Sequence, residues 1–99
     1  MNKDEVLQTI INEFGGMGSF SEKVSIKFLT RFDNGISFQF KGSKKANAAR
    51  IEIEPTGTYL LKLIKLNGRT KRFESVSEVN DLDGFELVNL FNHITGLNA

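Results

Sequence analysis

Residues 24–41, VSIKFLTRFDNGISFQFK, settle the fold because their apolar positions recur every second residue. Val24, Ile26, Phe28 and Phe32 fall on one side, and Ser25, Lys27, Leu29 and Arg31 on the other. That is the pattern of a strand with one dry and one wet face. Asp33, Asn34 and Gly35 suit a tight turn with positive φ, after which Ile36, Phe38 and Phe40 alternate with Ser37, Gln39 and Lys41. The stretch predicts a β-hairpin with Phe28, Phe32, Phe38 and Phe40 in the core.

Working outward, the polar connection Gly42 to Asn47 leads into a third alternating run. Ala49, Ile51 and Ile53 face inward there and Arg50, Glu52 and Glu54 outward, and Pro55 to Gly57 close it as a turn. Residues 58–66, TYLLKLIKL, are apolar on both faces as a central strand would be. Asn67 and Gly68 signal a hairpin into a fifth strand at about residues 69–76. Upstream, Val6, Leu7, Ile10, Ile11 and Phe14 have helical spacing, Asn2 with Glu5 forms a capping box, and Gly15 with Gly16 supplies a left-handed stop. The first helix is expected over residues 3–14. A last helix is expected from the Asp83 cap, with Glu86 three residues on, through Phe85, Val88, Leu90, Phe91 and Ile94 to a stop at Gly96.

These elements define an α+β chain read as one domain over residues 1–99: N-terminal helix, four- or five-stranded antiparallel meander sheet, C-terminal helix. Alternation in each strand places the helices on one sheet face and leaves the other wet. The chain has 99 residues, 39% hydrophobic and 25% charged, with a single proline, as an ordered globular domain would. The lack of cysteine excludes a disulfide framework, a thiolate nucleophile and cysteine-bound zinc. No stretch reads as a signal peptide or a membrane span, so the expected location is the cytoplasm, with no membrane partner.

The formal net charge of +1 conceals a segregation. Residues 23–72 carry a net +9, residues 1–22 a net −3 and residues 73–99 a net −5. Lys27, Arg31, Lys41 and Arg50 fall on the expected outward face, with Lys44 and Lys45 in the adjoining loop. These six are the candidate nucleic-acid-binding residues, since a surface of this kind suits a polyanion. The same lysines would also keep an exposed sheet soluble and its edges unpaired.

Other motifs carry less. Gly15 to Gly18 has the G-x-x-G spacing of a phosphate clamp, but it lies where a helix must stop and no second helix is expected directly after it. It is no P-loop, which needs a preceding strand and a following Lys-Ser or Lys-Thr. Residues 42–49 resemble the basic helix start of a double-stranded-RNA-binding domain, yet they lead into a strand. Asp81, Asp83 and Glu86 fit helix capping better than a calcium loop. His93 is the only histidine and has no partner cluster for a metal or a nucleophile. Glu52 and Glu54 share a strand face, but on the solvent side, where the raised pKa of an acid catalyst is not expected. No enzyme activity, cofactor or metal is expected.

The segments Ile36 to Asn47, Thr58-Tyr59 and Thr95-Gly96-Leu97 resemble small hypothetical proteins of unknown function encoded by bacteriophages and other bacterial mobile elements. The resemblance implies a setting in the bacterial host cytoplasm, where such proteins commonly bind nucleic acid or block a host machine. Two functions follow as expectations. The first is a non-catalytic accessory protein that binds nucleic acid through its basic sheet face and loop. The alternative is a protein-protein inhibitor of a host nucleic-acid-handling or defence protein. A homodimer through an exposed strand edge is a further possibility.

Overall fold

The chain runs α1 (Lys3–Glu13), α2 (Met17–Lys23), β1 (Lys27–Arg31), β2 (Gly35–Gln39), β3 (Ala48–Ile53), β4 (Tyr59–Asn67), β5 (Arg72–Leu82) and α3 (Gly84–Thr95) in a computed structural model that describes residues 2–99. The five strands form one antiparallel sheet in the order β1-β2-β3-β4-β5. The meander places every strand beside its sequence neighbour, as short connections favour.

Local signals set the helix ends. In α1 the Asn2 side chain accepts the Glu5 N–H at 2.8 Å, and the Asn2 N–H reaches back to the Glu5 carboxylate. Gly15 and Gly16 stop this helix with φ of +90° and +96°, conformations that a Cβ would penalise. In α3 the Asp83 carboxylate accepts the Glu86 N–H at 2.8 Å and Glu86 accepts from the Asp83 N–H at 3.1 Å. Gly96 closes it in the left-handed region.

The helices cover one sheet face. Ile36, Phe38, Ala49, Ile51, Leu61 and Leu63 line that face beneath Val6, Ile10, Ile11, Leu87 and Phe91. Five rings, those of Phe14, Phe20, Phe38, Phe40 and Phe91, knit the layers together, with Phe14 edge-on to Phe91 at 5.5 Å and Phe20 edge-on to Phe38 at 5.6 Å. Phe20 comes from α2, a helix the sequence did not announce, and it is fully buried. A second helix does therefore follow the glycine run directly.

The structure corrects the reading of β1. Its register with β2 slips between Lys27 and Thr30, so one extra residue is accommodated there, and Phe28 at the slip has φ +55°. An inserted residue reverses the alternation beyond it. Thr30 pairs with Ser37 on the open face and Arg31 with Ile36 on the helix side. Phe28 is accordingly not core but 74% exposed, and Phe32 is half-buried with the Arg50 guanidinium 4.3 Å from its ring centre. Phe38 and Phe40 are buried as expected. In α3 Phe85 points outward and Leu87 takes the core position.

Two turns differ as well. Neither Asp33, Asn34 nor Gly35 has positive φ; Gly35 is needed because a Cβ would overlap the Ile51 carbonyl oxygen of β3. The β4–β5 connection spans residues 68–71 instead of two residues. The Asn67 carboxamide oxygen accepts from the Arg69 N–H at 3.0 Å, and Lys71 takes the left-handed conformation. β5 then runs to Leu82, six residues past its expected end.

Candidate nucleic-acid interface

In an antiparallel meander alternate connections lie at the same end of the sheet. The register fixes which ones do so here. Lys27 pairs with Gln39, Gln39 with Ala48, Ala48 with Ile64 and Ile64 with Ser75. The start of β1, the β2–β3 connection and the β4–β5 hairpin therefore share one end. They bring together Lys27, Lys41, Lys44 and Lys45 with Lys65, Arg69, Lys71 and Arg72, and with the acid Glu74, which pairs in register with Lys65. The opposite end holds Asp33, Glu52, Glu54, Asp81, Asp83 and Glu86. Charge is thus divided along the strands, where the sequence had suggested a division between sheet and helices.

Of the six residues picked from sequence, four belong to the basic end. Arg31 does not: it lies on the helix side, and its guanidinium is ion-paired with Asp4 of α1. Arg50 stands on the open face as expected, but Nε donates to Glu52 at 2.8 Å and its plane covers Phe32. Both arginines have partners within the chain. Sequence reasoning left Lys65, Arg69, Lys71 and Arg72 out of the site, although the meander order alone places their hairpin beside the β2–β3 loop.

The loop that presents Lys44 and Lys45 is held by its other residues. Gly42 turns with φ +97°. The Ser43 hydroxyl accepts the Lys45 and Ala46 N–H groups at 3.2 and 3.4 Å, and the Ala46 methyl is fully buried. Asn47 donates to the Leu66 carbonyl at 2.9 Å and accepts the Leu66 N–H at 2.7 Å, which ties the loop to β4. What remains for water is the pair of lysines.

The two ends differ in how their charges are used. Glu52 is held by Asn34 and Arg50; Glu54 accepts the Asp81 N–H at 2.7 Å and the Thr58 hydroxyl at 3.1 Å; Asp83 and Glu86 cap α3. At the basic end no lysine or arginine has an acid within 4.0 Å among the described residues. Lys27 meets another cation instead. The Lys41 side chain, first by hydrogen-bonding contact and then by its charge, holds the Lys27 ammonium below the ordinary lysine value of 10.5, with a lesser contribution from desolvation. Such an end gains from an anion that bridges its cations.

The open face beside this end is partly apolar. Phe28, Ala48, Ile64 and Leu66 border a shallow hollow of about 340 Å³, with Thr30, Ser37 and Gln39 among its polar lining. Phe73 pairs with Leu66 and so shares its face, 63% exposed. Among the described residues no group of three or more His, Asp or Glu side chains is placed to hold a metal ion. No described helix is long and apolar enough to cross a membrane.

No family model, curated protein or solved structure matches the chain.

Proposed function

We propose that the chain is a small non-catalytic accessory protein of a phage or mobile element that binds nucleic acid in the host cytoplasm. It engages the phosphate backbone with the basic end of its sheet. The observation that carries this reading is the contrast in charge use: Glu52, Glu54, Asp83 and Glu86 at one end are bound by hydrogen bonds within the chain, while Lys44 and Lys45 at the other stand unpaired on a loop braced by Gly42, Ser43, Ala46 and Asn47. Phosphate contacts would give affinity without sequence readout.

Fluorescence anisotropy with labelled oligonucleotides at low and moderate salt tests it. The plot of log affinity against log salt should slope by about −0.9 per neutralised phosphate on duplex and about −0.7 on single strands. Replacing both Lys44 and Lys45 by alanine should flatten that slope by one to two such increments, whereas Lys62→Ala, mid-sheet on the open face, should not. Absence of binding at low salt sinks the reading.

A second reading, inhibition of a host nucleic-acid-handling or defence protein, is favoured by Phe85. This ring is 78% exposed beside a groove of about 590 Å³ lined by Val79, Leu82 and Leu90. On that reading Phe85→Ser abolishes binding to the host protein and leaves oligonucleotide binding unchanged.

A further inference from the structure

Two phenylalanines lie on the open face in water, one at each margin of the basic end. Phe28 is on β1 and Phe73 on β5, the two edge strands, separated by four inter-strand spacings, roughly 19 Å. Each follows a cation directly in the chain, Lys27 before Phe28 and Arg72 before Phe73. Between them the surface joins aliphatic Ala48, Ile64 and Leu66 to the polar Ser37 and Gln39 of β2.

Phe28 combines two unfavourable features. Its ring is 74% exposed, and its backbone has φ +55°, a region that side chains with a Cβ seldom enter. The register slip between Lys27 and Thr30 is what turns it outward. A bulge at a sheet edge commonly re-aims a side chain in this way. Neither the core nor the ladder gains from the arrangement.

We propose that this face binds single-stranded nucleic acid, with bases stacked on Phe28 and Phe73, and with the phosphates on Lys27, Lys41 and the hairpin cations. The inference rests on the phosphate-binding reading and names its substrate class. A duplex hides its base faces in its own stack and would meet the two rings only with sugar and phosphate. An unpaired strand offers a π-face at every nucleotide, which an aromatic platform recognises regardless of sequence. The open sheet face between the rings offers room for a strand laid across it, with the cations of the basic end along the path.

The test compares a labelled oligothymidine of about twelve nucleotides with a duplex of the same length, a range typical of stacking-platform sites. Phe28→Ala and Phe73→Ala are each expected to weaken single-strand binding by about tenfold and to leave duplex binding within twofold. Circular dichroism checks that each variant folds. Because the chain has no tryptophan, Phe28→Trp supplies a unique reporter, and stacking should quench its indole emission as oligothymidine is added. Equal affinity for both forms with neither alanine variant affected, or indole emission unchanged at saturation, overturns the platform while the phosphate reading stands. No binding of either form at low salt overturns both.

Discussion

The Asn47 carboxamide substitutes for a peptide group in the sheet. It gives and receives one hydrogen bond with the backbone of Leu66, although Asn47 precedes β3. The β2–β3 loop is thereby fixed to β4 by side-chain chemistry. Asn47→Ala would leave a part-buried N–H and C=O without these partners and should cost about 1–3 kcal/mol in denaturant unfolding. Hydrogen exchange should show the Leu66 amide losing protection first. An unchanged midpoint would mean that water replaces both bonds at no cost.

Lys27 and Lys41 supply a titration experiment. Replacing Lys41 by glutamine removes the leading causes of the depression at Lys27, so the Lys27 pKa should rise toward 10.5. Lysine side-chain NMR reads this directly. A depressed folded-state pKa means that the unfolded chain holds more protons in that alkaline window, so this pair's contribution to stability increases as pH rises through it. Bound oligonucleotide should shift Lys27 in the same direction as the Lys41→Gln substitution.

Tyr59 has the opposite sign. Burial first, and then the hydrogen bond and charge of Glu13, push the phenol well above its ordinary value of 10.0. Its contribution to stability is fully present below pH 10.0 and is lost as pH rises toward the elevated folded-state value. Tyr59 is the only tyrosine and the chain lacks tryptophan, so phenolate absorbance reports this residue alone. The absorbance should appear together with unfolding in an alkaline titration. A phenolate forming at its ordinary pH with circular dichroism intact would contradict the buried contact.

Gly35 and Gly68 provide a contrast between close approach and open space. A Cβ on Gly35 would overlap the Ile51 carbonyl oxygen, a backbone atom fixed in β3, whereas one on Gly68 would meet nothing within 4 Å. Gly35→Ala should destabilise by about 1–3 kcal/mol. Gly68→Ala, at a position without positive φ, should stay within about 0.5 kcal/mol. Thermal melts of the two variants decide it.

Alternation and capping made much of this fold legible. Ile36, Phe38, Ala49 and Ile51 occupy the face that period two assigns them, and Asn2 with Glu5 and Asp83 with Glu86 start their helices where the capping boxes stand. What failed did so for physical reasons. α2 has seven residues, a glycine (Gly18) among them, and no repeating apolar stripe; it is held by the burial of Phe20, which local propensity does not register. One extra residue in β1 reversed the faces of Phe28, Phe32 and Arg31. Of the candidate cations, Lys27, Lys41, Lys44 and Lys45 stand exposed without an acid partner among the described residues, and Arg31 and Arg50 are engaged in ion pairs that only the folded chain reveals. The hairpin cations could have been found by tracing which connections of a meander meet.

The division of charge along the strands gives a molecule of net +1 one predominantly basic pole and one predominantly acidic pole. Far from a polyanion such a particle feels little net pull but experiences a torque, so it would arrive with its basic pole first and its acidic pole trailing. Copies lined up along a nucleic acid would then show their carboxylates to the solvent. The coated polymer would keep a negative exterior, which repels a second layer of the same protein and preserves the colloidal character of the naked strand.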